Sequence, residues 1–200
     1  MEGKFGIPRI APATLPEGIE SWLPFNNLRH RLTKSEALQM YVDDYRLNRL
    51  WTLPRRYLDF LRDAACVLSP DFSVYADVSP ALGLYNHYRK HWLGAYWQMN
   101  GINVIPTICW GDKETFEWCF DGEPHNAVVS VSSVGTQAKA DTKAAFMYGY
   151  DAMLERLNPA EIVFFGNVPA EARGNIIRVD TFYTKFDAIR GGRKNATFES

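Results

Sequence analysis

The chain has 200 residues and a formal net charge of -1; 46% of it is hydrophobic and 14% aromatic. That length can bury one substantial core without staples, and the composition excludes a disordered chain. The balanced charge excludes a global pull toward nucleic acid or membrane, so a polyanion would need a local patch.

Residues 1–35 read as an irregular arm, because Pro8, Pro12, Pro16 and Pro24 forbid a regular helix. Ile7, Ile10, Leu15, Ile19, Trp22 and Leu23 give this arm anchors for packing on the domain. Met1-Glu-Gly-Lys4 lacks the apolar run of a signal peptide, and no stretch approaches the ~20 apolar residues needed to span a bilayer. Three cysteines, Cys66, Cys109 and Cys119, show no CxxC spacing and suit a reducing compartment. These features predict a soluble cytoplasmic protein with no membrane partner. Arg29, His30, Arg31 and Lys34 form a small basic cluster, read as a solvated loop.

A repeating grammar follows. Gln39–Val42 is expected to be a strand ending in Asp43, Asp44 and Arg46, and Pro54–Asp63 a helix with Pro54 at its first position. Cys66–Leu68 is a second strand, leading into Ser69-Pro-Asp-Phe-Ser-Val-Tyr-Ala-Asp77. The longest helix spans Pro80 to about Met99, capped by Ser79, with Leu84, Tyr85, Tyr88, Trp92 and Ala95 on one apolar face. Ile102–Ile108 is a third strand, ending near Thr107, Cys109 and Trp110. A short helix near Glu114–Phe120 and a turn at Asp121-Gly122 precede the fourth strand, Ala127–Val131, which ends in Ser132-Ser-Val-Gly-Thr136. A helix over Lys139–Leu157 leads to a fifth strand, Glu161–Phe165, and Ile176–Val179 offers a sixth. This alternation predicts one α/β domain over residues 36–185, followed by a basic tail at 186–200. Its mostly parallel sheet of five or six strands would carry helices on both faces, as an open sheet or an incomplete TIM-like barrel.

Right-handed crossovers gather the strand ends on one rim, where α/β folds place their chemistry. Asp71, Asp43, Asp44 and Ser73 are the candidate catalytic groups, since paired carboxylates share a proton or hold a divalent metal. Pairing of Asp43 and Asp44 with Arg46 or Arg49 is the plainer alternative for those two, and capping is the plainer role for Asp77. Ser132, Gly135 and Thr136 could offer hydroxyls and amides to an anion, although the loop has neither the P-loop lysine nor a GxGxxG spacing. Asn86, Arg89, Trp97, Gln98 and Trp110 are candidate ligand-binding groups, by phosphate pairing or base stacking. His87 and His91 stand one helical turn apart without a visible third ligand, so no metal site is assigned. Lys185, Arg190, Arg193 and Lys194 form the basic C-terminal tail, a frayed end or a phosphate contact.

Seven ordered segments carry a family resemblance: Val42-Asp-Asp-Tyr-Arg46, Leu68-Ser-Pro-Asp-Phe-Ser-Val-Tyr75, Tyr88-Arg-Lys-His-Trp92, Ala95-Tyr-Trp-Gln98, Gly101-Ile-Asn-Val-Ile-Pro-Thr107, Phe120-Asp-Gly122 and Val131-Ser-Ser-Val-Gly135. Over roughly residues 35–166 the chain resembles the domain-of-unknown-function family 4417 of phages, prophages and bacteria. It departs at Lys90-His91, where that family usually reads Asn-Arg. The resemblance implies a small cytoplasmic protein made by a mobile element, and it adds weight to Asp71, Ser73, Arg89, Trp97 and Gln98. The expected function is binding of a nucleotide or nucleic-acid segment in the strand-end crevice, with hydrolysis or modification as its chemistry. The alternative is a non-catalytic protein that inhibits or redirects a host factor.

Overall fold

A computed structural model describes residues 1–26, 31–74, 78–137 and 139–179. Arg29, His30, Asp77 and the basic tail lie outside the described residues. Seven parallel strands follow one another in chain order: β1 (Ser21–Pro24), β2 (Glu36–Gln39), β3 (Val67–Leu68) and β4 (Val104–Ile105) form one sheet, and β5 (Val128–Ser132), β6 (Glu161–Phe165) and β7 (Ile176–Val179) form another. A parallel bridge between Thr107 and Ser130 joins the two. The helices are α1 (Asp44–Thr52), α2 (Leu58–Arg62), α3 (Pro80–Met99) and α4 (Ala140–Leu157).

An order with no reversal, joined by the right-handed crossovers that parallel strands favour, places the helices outside and curls the sheet. In a flat sheet β1 and β6 would lie five strand spacings apart, roughly 24 Å. Instead the rings of Trp22 and Phe165 meet edge-on at 5.4 Å between centroids. Tyr41, just past β2, lies 4.9 Å from the Phe165 ring and bonds the Ser130 hydroxyl at 2.9 Å. The sheet is therefore rolled into an incomplete barrel, and among the described residues no pairing joins β7 to β1.

Alternation along the strands sorts the core into layers. Val128, Val163 and Phe165 join the cluster shared with β1–β4, whereas Val129, Val131, Ile162 and Phe164 pack with Phe146, Tyr150 and Met153 of α4.

Several local expectations need correction. Ser21–Pro24 of the arm forms β1, an edge position where the missing N–H of Pro24 is tolerated. The next strand begins earlier than expected, at Glu36, and Asp44–Thr52 is helical, with Asp44 in the favourable first turn. The helix expected over 54–63 divides into a 3-10 turn at Pro54–Tyr57 and the short α2. The third expected strand shrinks to Val104–Ile105, because Pro106 has no N–H to continue the ladder. Past that proline the Ser69 hydroxyl accepts the Thr107 N–H at 2.9 Å, so a side chain replaces the missing rung. Ser79 occupies the N-cap of α3, but its side chain makes no capping bond.

The largest correction concerns α3. Its buried residues are Gly83, Asn86, His87, Arg89, Lys90, His91, Leu93, Gly94 and Trp97, while Tyr85 is exposed. The helix thus turns a polar face inward and leaves its aromatic face half in water. The glycines permit the close approach: a Cβ at Gly94 would come within 2.6 Å of Ile10, and one at Gly83 within 3.2 Å of Trp118. Among the described residues no helix is long and apolar enough to cross a membrane.

Candidate functional site

The open seam between β1 and β7 continues over the C-terminal rim as a cleft of about 1390 Å³. Trp22, Tyr41 and Phe165 supply aromatic walls; Asp43, Asp44, Asp71, Ser73 and Ser132 supply polar groups on the rim. Arg46 and Arg178 are the cations that line it. Arg46 pairs with Asp43 at 3.3 Å, whereas Arg178 makes no ion pair among the described residues.

The rim is held by contacts between elements. Asp44, at the start of α1, accepts bonds from the Ser73 N–H at 3.1 Å and the Ser73 hydroxyl at 3.0 Å. Asn86 of α3 donates to the Ser73 carbonyl at 2.7 Å. Arg89 donates to Asn48 at 2.7 Å, stands 3.9 Å from Asp44 and lies 3.5 Å over the Phe72 ring. Asn86 and Arg89 therefore position the Ser73 loop from behind, as parts of a clamp between α1 and α3.

Asp71 is only partly exposed, and its Oδ1 is enclosed with no hydrogen-bond partner among the described residues. Burial pushes its carboxyl up to about 7; Lys90 opposes that rise and Asp44 adds to it. Burial, then the charge of Asp71, also raises the Tyr41 phenol well above its ordinary range. A carboxyl that titrates near neutrality at an accessible rim can accept or deliver a proton, which is what acid–base catalysis requires.

Beneath Asp71 lies a buried charge network that the sequence did not disclose. Lys90 donates to the Thr107 carbonyl at 2.8 Å and to Glu123 at 2.6 Å, and both ionic side chains are fully buried. Burial works to neutralise Lys90, but Glu123, helped by Cys109 and Asp71, keeps its pKa above the ordinary value. Burial likewise works against charge on Glu123, and Lys90 and His91 together pull its pKa below normal. The sequence did hold one signal for this face: Gly83, His87, Lys90, Gly94 and Trp97 recur at three- and four-residue steps, small and polar where an apolar stripe is usual.

The remaining expected ligand-binding residues lie elsewhere. Trp97 is wholly enclosed in the core and can stack on no ligand. Gln98 clasps the arm, accepting from the Ala11 N–H at 2.8 Å and donating to the Ala11 carbonyl at 2.9 Å. Trp110 packs against Gly149 and Phe146 under α4. Ser132 lines the cleft, but Gly135 and Thr136 do not; the Thr136 hydroxyl turns back to the Ser133 carbonyl at 2.8 Å. Asp43, Asp44, Asp71, Ser73 and Ser132 are thus brought together, whereas Arg89, Asn86, Trp97, Gln98, Trp110, Gly135 and Thr136 stand behind or away from the cleft.

Comparison with known proteins places this geometry in context. Residues 1–183 match the family described as a domain of unknown function (DUF4417), a longer span than the seven segments cover. The Gene 1 protein of Mycobacterium phage D29 is 35% identical over 190 residues, which span 93% of this chain and 69% of that protein. The Gene 1 protein of Mycobacterium phage L5 is 36% identical over 168 residues, 82% of this chain and 72% of that protein. No solved structure matches the chain.

Proposed function

The chain belongs to the DUF4417 family, and from the cleft it carries we propose that it binds a nucleotide or nucleic-acid segment and performs acid–base chemistry on it. The observation that carries this reading is Asp71, a carboxyl poised near neutral pH beside Tyr41 at an aromatic-walled cleft. Trp22 and Tyr41, both half-buried and backed by the buried Phe165 ring, suit a flat ring, which aromatic walls bind by stacking. Arg178 lines the cleft and makes no ion pair among the described residues, which supports a phosphate contact there. Three rim carboxylates disfavour a bare polyanion, so the ligand is expected to present its base to the carboxylates and its phosphate to Arg178. Asp71 would take a proton from, or return one to, the bound ring or an attacking water. A divalent ion between Asp71 and its neighbours is a further option for this chemistry.

Calorimetric titration with nucleosides, nucleotides and short single strands tests the reading. Binding should weaken roughly tenfold or more in Trp22→Ala and Arg178→Ala, and persist in Asp71→Asn without turnover. Absence of binding across the panel, or binding indifferent to these cleft substitutions, sinks the proposal.

A second reading rests on the outer face of α3. Tyr85 and Trp92 meet Trp51 edge-on, Trp92 stacks on Tyr96, and Leu82, Tyr85 and Met99 are exposed. Such an aromatic stripe suits contact with a host protein. Tyr85→Glu would abolish capture of that partner while leaving cleft binding intact; unchanged capture would remove this reading.

A further inference from the structure

The inward face of α3 holds a second cluster, apart from the cleft. His87, His91 and Glu123 are all buried, and one ligand-capable atom from each lies within 4.8 Å of the others. Counting protons shows what these atoms lack. His87 Nε2 lies 2.9 Å from the Asp121 carbonyl, which can only accept, so the proton sits on Nε2 and the lone pair on Nδ1. That Nδ1 is enclosed and meets no donor among the described residues. His91 Nδ1 lies 3.0 Å from the Pro8 carbonyl, which fixes its proton on Nδ1 in the same way. The Nε2 lone pair of a neutral His91 then faces Glu123 Oε1 at 3.0 Å, acceptor against acceptor. Glu123 Oε2 is also enclosed without a donor, because Lys90 serves Oε1 alone.

Three lone pairs thus stand without a donor among the described residues, in a cluster whose ligand-capable atoms lie within 4.8 Å of one another and where Lys90 serves only Glu123 Oε1. A water has two hydrogens and leaves one of the three unmet. Protonating His91 relieves only its contact with Glu123, and does so beside the Lys90 ammonium. A metal dication satisfies all three together. Both imidazoles already give their other N–H to main-chain carbonyls, and Lys90 holds the second carboxylate oxygen, the outer contacts that fix ligating histidines and carboxylates. We infer that His87 Nδ1, His91 Nε2 and Glu123 Oε2 bind a zinc-class dication, a two-imidazole, one-carboxylate set that leaves a fourth position for water. The nearby Lys90 ammonium opposes the added charge and keeps Glu123 ionised for the metal. The ion fastens three parts of the chain: the arm through Pro8, α3, and the turn at Asp121–Glu123. At that turn the packing is tight, since a Cβ on Gly122 would come within 2.6 Å of the Pro8 carbonyl and 2.8 Å of His91.

The test uses the full chain, stripped with a chelator and titrated separately with Zn²⁺ and Co²⁺. One equivalent per chain is expected, with a rise in Tm of about 5–10 °C at a hundredfold excess over Kd. His87→Gln should abolish stoichiometric binding, whereas His125→Ala, at an exposed site, should retain it. If His87→Gln does not fold, X-ray absorption of the cobalt-loaded wild-type chain decides, with two imidazoles expected in the first shell. A folded chain that takes up neither ion at one equivalent, or a bound ion without imidazole ligands, overturns the assignment.

Discussion

Replacing Asp71 with Asn should make the protein more stable, and only above acidic pH. The carboxyl titrates near 7 in the fold against an ordinary 3.8, because its Oδ1 is enclosed and Asp44 adds repulsion that Lys90 only partly offsets. That interval, at about 1.36 kcal/mol per unit, corresponds to about 4 kcal/mol of penalty on the ionised form. Asp71 keeps part of its surface in water, so about half of that, ~2 kcal/mol, is the working figure. The sign follows from proton binding. Between pH 4 and 7 the folded chain holds more protons than the unfolded one, so wild-type stability from this group falls as pH rises through 7. Asn has nothing to ionise and escapes the penalty. Urea unfolding at pH 8 should show Asp71→Asn stabilised by ~2 kcal/mol, equivalent to about 4–8 °C in Tm. At pH 4 the two chains should coincide. A loss of stability at pH 8, or a difference independent of pH, would mean that Asp71 is held by a structural partner, and the catalytic reading would lose its principal residue.

Other perturbations probe the remaining framework. Lys90→Met strands the buried Glu123 and should destabilise by about 3–5 kcal/mol, with much of that recovered in the double variant with Glu123→Gln; a double-mutant cycle in urea reads the coupling. Gly149→Ala places a Cβ on the Trp110 indole and should cost about 1–3 kcal/mol, with a red shift in tryptophan emission as Trp110 is displaced. Gln98→Ala removes both bonds to Ala11, and limited proteolysis should then cut within residues 1–16 faster while the rest of the chain stays intact; unchanged cleavage would show that apolar anchors alone hold the arm.

Some of the site was legible in the residues themselves. Asp71 follows Pro70, which prevents an easy strand continuation, and no nearby helix needs its charge; the fold puts it on the cleft with Asp43, Asp44 and Ser73. For Arg89 and Trp97 the sequence offers residue type and the family segments, and neither says which way a side chain faces. A guanidinium suits phosphate, but here it is spent on Asn48 and the Phe72 ring; an indole suits stacking, but here it fills the core. Nothing local marks Trp22 and Arg178 as site residues, because the seam between β1 and β7 exists only once the sheet curls.

The order of apolar runs and helical segments by itself determined the α/β class and the parallel strands, because strand and helix periodicities are local and each run carries its own. It also determined that chemistry-bearing side chains follow the strands. The tertiary structure decided that the sheet rolls until Trp22 meets Phe165, and that α3 buries Lys90, His87 and His91 rather than its aromatic stripe. A helix face is chosen by what lies opposite it. Glu123 and the Pro8, Thr107 and Asp121 carbonyls, distant in sequence, supply the bonds that make a polar face the better one to bury.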